Sequence, residues 1–496
     1  MTNAKQGSFR NPVLSGDRPD PAILKDGDDY WLTYSSFDAA PGLSIYHSTD
    51  LVNWSYTGVA LPEPPGVVFA VDIAKVDGRY FIYIPFIPAP WSTLITEPSI
   101  YVIHAPSMTG PWSDTVDLGV RGAIDPGHVV GEDGKRYLFV NGVRRVELTD
   151  DGLATVGDLT LVYDGWQYPD EWITEAYALE GPKLLRRNGW FYLVSAVGGT
   201  AGPATGHMVI VARSRSIDGP WENSPHNPVA RTVDAGEAWW SRGHATIFPG
   251  PGRDWWMMSH GYENGFRTLG RQLLLEPIEW TDDDWPAAAV FDISGELAAP
   301  DRLTVQNESS EYTEDFSDFR LGERWNFYAP APGESSRIAT DGSGLILAGK
   351  GDRLGESSPL TLVGGDHRYE VSVTVDLLEG SPEAGLVLFF NRRLFCGFGI
   401  DGNRMVSYAG GLATYWNEPI VPGRRIDLRL VNDGHVVTGW YRDERNEWVR
   451  HAVRYETSGY HANTMGDLQS LRPALYATGA GSAKFTDFRY LPAILP

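Results

Sequence analysis

Between Ala22 and Gly261 the chain repeats one phrase five times: an apolar strand, a tight turn built on glycine, then an aromatic strand. The copies are AILKDGDDYWLTYSS, IAKVDGRYFIYIPF, HVVGEDGKRYLFVNG, KLLRRNGWFYLVSAV and TIFPGPGRDWWMMSHG. Their turn glycines, Gly27, Gly78, Gly134, Gly189 and Gly252, recur every 50 to 65 residues or so, roughly the length of a four-stranded blade with its loops. A five-bladed β-propeller is therefore expected over residues 1–300. A second phrase supports it. HSTDLVNWS, HAPSMTGPWS and RSRSIDGPWENS follow the aromatic strands of copies one, two and four, where outer strands and their turns belong.

Upstream of each turn stands an ionisable residue: Asp20 in RPDPAI, Asp72 in AVDIAK, Asp125 in AIDPGHV, Glu180 in LEGPKLL and His244 in RGHATIF. The first strand of every blade lines a propeller's axis, so these five side chains are expected to converge at one end of the channel. Four carboxylates and an imidazole in one pocket push one another's pKa values apart, an arrangement that marks a working site. Each has a plainer reading. Asp-Pro commonly opens a turn, and Glu180 has a neighbour, Glu175, that could take its place.

After LLLEPIEWTDDDWPAAAVF the repeat stops, and AAPDRLTVQNESSEYT has the polar, aperiodic composition of a linker. From there RYEVSVTVDLL, EAGLVLFF, RRIDLRLVND, HVVTGWYRD and AKFTDFRYL alternate as short strands. They predict a concanavalin-like, jelly-roll β-sandwich over residues 312–496. The whole chain thus reads as all-β.

A formal net charge of -23 argues against nucleic acid and anionic membrane as partners, because both require clustered Lys and Arg. The 18 Trp and 23 Tyr favour a ligand with flat apolar faces, which the C–H faces of a sugar supply, although aromatics also fill strand-rich cores. The single cysteine, Cys396, rules out an intrachain disulfide and sits in the strand-like RRLFCGFGI, the setting of a buried structural thiol. The opening MTNAKQGSFR lacks the apolar run of a secretory signal, and YFIYIPFIPAPW is broken by three prolines. A cytoplasmic protein is the expectation, with homo-oligomers left open.

Taken together, NPVLSGDRPDPAI, SSFDAAPGLSIYHSTDLVNW, GAIDPGHVV, LEGPKLL and LGRQLLLEPIEW resemble glycoside hydrolase family 43, the β-xylosidase and α-L-arabinofuranosidase family. The resemblance runs from about residue 10 to 285, and the sandwich resembles the accessory domain of that family's β-xylosidases. It implies an inverting mechanism in which Asp20 falls on the general base, Asp125 on the pKa modulator and Glu180 on the general acid. Inversion calls for carboxylates about 6.5–9.5 Å apart with water between. Phe37 and Phe69 match the apolar wall of the sugar pocket, and Arg271 of LGRQ matches an arginine that approaches sugar hydroxyls. Asp72 stands in FAVD where the family usually reads Trp-Ala-Pro-Asp, so it either binds substrate or holds a loop. His244 matches a channel histidine that lies near calcium in some members. As a lone histidine it reads as a hydrogen-bonding pocket residue, with no cofactor required and calcium an option beside it.

The function implied is removal of terminal pentoses, first β-D-xylose from xylo-oligosaccharides, with α-L-arabinofuranosidase or another furanosidase such as a galactofuranosidase as the alternative. An invertase-type β-fructosidase fits less well, since RPDPAI stands where that group carries Asn-Asp-Pro-Asn-Gly. A non-catalytic carbohydrate-binding propeller would have no use for the trio of Asp20, Asp125 and Glu180.

Overall fold

The computed structural model describes residues 7–493 apart from 302, 304–309, 381, 415–423 and 443–445. Its contacts divide the chain into two units: Met1–Phe37, Gly42–Asn264 and Arg271–Gln306 in one, and Asp38–Pro41, Gly265–Gly270 and Asn307–Pro496 in the other.

The first unit is a five-bladed β-propeller. Each blade is an antiparallel sheet. The first two strands are Ala22–Asp26 and Asp29–Thr33 in blade one, Asp72–Val76 and Arg79–Ile87 in blade two, and Gly127–Val130 and Arg136–Val140 in blade three. In blade four they are Glu180–Arg187 and Trp190–Val197, and in blade five Trp239–Pro249 and Trp255–Glu263. The first strands neighbour one another in a closed ring. At Asp77-Gly78 and Asn188-Gly189 both turn residues have positive φ, 49° and 77°, then 49° and 74°. That is the twist a two-residue hairpin needs and the reason glycine stands second. The second repeated phrase falls between the third and fourth strands of blades one, two and four.

Five separate apolar clusters wedge the blades apart, one at each junction. Leu43, Val68 and Ile84 fill the gap between blades one and two, Tyr83 and Leu138 that between two and three, and Phe139 and Phe191 that between three and four. Tyr192 and Met257 pack between four and five, and Tyr30, Trp256 and Leu273 between five and one. The ring is closed by the N-terminal segment. Ser8–Phe9 pairs with Leu297–Ala298, Val13 N–H donates to Leu273 O at 3.0 Å, and Arg18 N–H donates to Arg271 O at 2.9 Å. This last bond matters for function, because it brings the start of blade one beside Arg271.

The second unit is a sandwich of two eight-stranded antiparallel sheets. The long strand Arg368–Gly380 turns Val371, Val373 and Val375 inward, and Glu383–Asn391 turns Leu386 and Leu388 towards them, the period-two alternation expected of a half-buried strand. Cys396 is buried in the same core, where burial pushes its thiol up. Two short pieces from within the propeller sequence belong here: Ala39–Ala40 extends one sheet by pairing with Phe327–Tyr328, and Phe266 stacks on His367 at 3.7 Å. Among the described residues no helix is long and apolar enough to cross a membrane.

Candidate active site

In the first strands, the residue six places before the hairpin closes is Asp20 in blade one, Asp125 in blade three, Gly181 in blade four and His244 in blade five. All four have left-handed backbone, with φ of 58°, 56°, 62° and 50°. For a residue with a Cβ this conformation costs about 1–2 kcal/mol, and here it turns the side chain out of the sheet register. The expectation that all five ionisable residues occupy one equivalent place is corrected on two counts. Glu180 lies one residue before that place, because a bulge separates it from Lys183. Asp72 lies two residues after, directly paired in the blade-two hairpin.

Asp20 is buried and fully engaged. Its Oδ2 accepts from Ser35 Oγ at 2.6 Å and its Oδ1 from Arg271 Nη1 at 3.0 Å. Its own N–H donates to His260 Nδ1 at 3.0 Å, which leaves the ring proton on Nε2, facing Thr200 Oγ1 at 3.1 Å. Burial alone would push Asp20 up, but the Arg271 guanidinium holds it well below the usual carboxylate range. Arg271 is itself buried, remains a cation, and lies with its guanidinium 5.2 Å from the Phe37 ring centre. Its Nη2 is buried with no hydrogen-bond partner among the described residues.

Asp125 is in the opposite state. Burial, the neighbouring Glu180 and then Asp20 push it well above the usual range, and the Gly181 N–H at 3.1 Å only partly offsets this. Glu180 keeps 23% of its side chain exposed and has His207 Nε2 3.2 Å from its Oε1. Glu175 is elsewhere: it is exposed, and its Oε2 accepts from the Ala201 N–H at 2.8 Å.

His244 is buried, with its Nδ1 3.5 Å from Asp20 Oδ1, its ring against the Gly181 Cα and its Nε2 without a partner. Burial pushes both His244 and His260 down to about 3. Phe37 meets the half-buried Phe69 edge to face at 5.3 Å, and Phe37 bridges backbone to backbone with Val68. Asp72 is committed to the protein instead. Its Oδ1 takes Lys183 Nζ at 2.8 Å and its Oδ2 takes the His128 N–H at 2.7 Å. Of the two roles open to it, the contacts favour the brace.

Four residues around the carboxylates escape a reading of the repeat: Ser35, Lys183, His207 and His260. The two histidines sit in apolar runs, TGHMVIV and MMSHGYE, where a lone imidazole looks like core. Their rings stack at 5.3 Å, and His260 stacks on His244 at 6.2 Å. Among the described residues no group of three or more His, Cys, Asp or Glu is arranged to hold a metal ion.

The sequence from residue 9 to 286 matches the family model for glycosyl hydrolases family 43. The chain belongs to that family. Similar relatives include a xylan 1,3-β-xylosidase of a Vibrio species, 32% identical over an alignment of 322 residues that covers 57% of this chain and 57% of the relative. Another is a non-reducing end α-L-arabinofuranosidase of Bacteroides ovatus, 30% identical over 337 residues, 65% of this chain and 61% of that protein. The matched stretch spans less than two thirds of either relative's length. Among solved structures, a family 43 protein from Bacillus licheniformis superposes with a TM-score of 0.86 at 23% identity, covering 98% of this chain and all of its own. At that identity the likeness speaks for the fold alone.

Proposed function

We propose that this family 43 chain is an inverting exo-glycosidase that releases single pentoses, first β-D-xylose, from the non-reducing ends of short oligosaccharides. The observation that carries the reading is the opposed electrostatics of the carboxyls on blades one and three, Asp20 held ionised by Arg271 and Asp125 held up by burial beside Glu180. An inverting hydrolysis needs one carboxyl that stays ionised and, across the sugar, a carboxyl group that holds a proton. Asp20, which stays a carboxylate, orients a water and takes its proton as the oxygen attacks the anomeric carbon. Glu180 delivers a proton to the departing oxygen as the glycosidic bond breaks. Asp125 and Glu180 share one proton between them: when Glu180 carries it to the departing oxygen, Asp125 is the ionised neighbour whose charge resists its early loss. Both carboxyls return to their starting states by exchange with solvent. The free Nη2 of Arg271 and the Phe37–Phe69 edge offer a sugar one donor and one apolar wall.

The names of the relatives support pentosides, the Vibrio xylan 1,3-β-xylosidase speaking for β-xylosides. The Bacteroides enzyme supports the second reading, an α-L-arabinofuranosidase. Rates on aryl β-D-xylopyranoside and aryl α-L-arabinofuranoside decide between them, and silence on both rejects the pentosidase reading. Proton NMR of the first-formed sugar should show the anomer opposite to that of the substrate; retention would overturn the mechanism. Calcium takes six to eight oxygen ligands, whereas the spare donor at His244 is one nitrogen, Nε2. The residues there fit a cation poorly, and the same rates are expected with calcium and with chelator.

A further inference from the structure

His207 has no part in the reaction as described, yet it is completely buried and its Nε2 lies 3.2 Å from Glu180 Oε1. The ring has little freedom. A Cβ on Gly243 would come within 2.2 Å of it, so it is pressed flat on that glycine, and the His260 ring covers it at 5.3 Å. Neither ring nitrogen is aligned for a hydrogen bond with any partner. A buried imidazole with both nitrogens unspent is costly, and catalytic hydrogen bonds are often misaligned until substrate binds. Among the described residues the carboxylate within its reach is that of Glu180, the proposed acid.

We propose that His207 is a positioning residue for Glu180. With its proton on Nε2 it donates to Oε1, fixes the carboxyl so that Oε2 faces the departing oxygen, and stabilises the charge that grows on the carboxylate as the proton leaves. No proton moves from the histidine itself. The inference rests on the reading of Glu180 as the acid. The other titratable and charged groups around Glu180 are Asp125 from blade three, Arg271 from blade five, His244 packed on Gly181, Lys183 three residues on, and Asp20 behind them.

The test compares His207→Met, which has no donor, with His207→Gln, whose amide can reach where Nε2 lies. Both are assayed on aryl glycosides of good and poor leaving groups. His207→Met is expected to lose about tenfold to a hundredfold in kcat on poor leaving groups, the scale of a misplaced reacting group, and less than about threefold on activated ones. The basic limb of its kcat/KM profile should move to higher pH, since a donor that favours the ionised carboxylate is gone. His207→Gln should recover most of the loss and return the limb. Equal losses on both leaving groups, or no rescue, overturn the inference and make His207 a packing residue. Should His207→Met fail to fold, His207→Asn, whose amide falls short of Glu180, takes its place. Glu180→Ala is run alongside. If it too loses both substrates equally, the acid assignment itself has failed; if it loses only the poor leaving groups while the His207 variants lose none, the positioning role alone falls.

Discussion

Lys183 of blade four holds its ammonium 2.8 Å from the Asp72 carboxylate of blade two. The same nitrogen donates to Val71 O at 2.6 Å and Pro126 O at 3.2 Å, so one side chain ties three blades together beside the site. Both partners are largely buried, at 5% and 14% side-chain exposure. Removing one member of such a pair strands the other, at about 3–5 kcal/mol. Lys183→Met should lower the melting temperature clearly by calorimetry, and Asp72→Asn, which keeps an acceptor, should do so less. Unchanged stability in Lys183→Met would show the brace to be ornamental.

Asp125 offers a pH signature. It and Glu180 are like charges, and Asp125→Asn takes one of them away. The remaining carboxyl is then easier to ionise, so the basic limb of kcat/KM should move to lower pH, with kcat down about 10² or more on substrates with poor leaving groups. A limb that stays in place would detach Asp125 from any control over the acid.

Arg271 predicts the opposite limb. Its guanidinium is what overcomes burial and depresses Asp20. In Arg271→Met burial wins, Asp20 takes up its proton at higher pH, and the acid limb should climb accordingly. Arg271→Lys should fall between the two, because an ammonium supplies charge without the fork. A loss of about 10²–10³ in kcat/KM is expected for the Met variant; an acid limb that stays where it was would mean that something other than Asp20 sets it.

Stability should also record the buried histidines. His128, like His244 and His260, is pushed down to about 3 by burial. Between pH 6.5 and about 3 the unfolded chain binds protons there that the folded chain refuses, so each such group makes stability fall with falling pH by about 1.4 kcal/mol per pH unit. His128→Gln lies away from the reaction and should flatten the slope of urea stability against pH by one proton. An unchanged slope would mean that His128 protonates in the folded protein.

The architecture was open to reading because the five hairpins repeat their turn chemistry in plain sequence, and Asp20, Asp125 and His244 stand at one register in it. What the repeat concealed were local departures from it. The bulge after Glu180 moves that carboxyl by one residue and lets Gly181 take the left-handed place, while Asp72 slides two residues into its strand and pairs with Lys183. Neither shift leaves a mark on composition. His207 and His260 were hidden for another reason: they stand at the start of a third strand and within a second strand, where apolar neighbours mask the polar contacts they make with Glu180 and Asp20. The short segments Asp38–Pro41 and Gly265–Gly270 fall in the sandwich unit although nothing in their residues separates them from the propeller around them.

The left-handed backbone at Asp20 and Asp125 bears on how this chain could drift. Few residues accept that conformation without strain, chiefly glycine, asparagine and aspartate. Selection at these two places is therefore confined to a short alphabet, of which aspartate alone is a carboxylate. The least strained way to lose turnover is a single step to asparagine, which keeps the turn and the propeller. On the proposed function a lectin is thus the nearest neighbour of this chain in sequence space, and family members that bind without cutting would be expected to carry asparagine at the positions of Asp20 or Asp125.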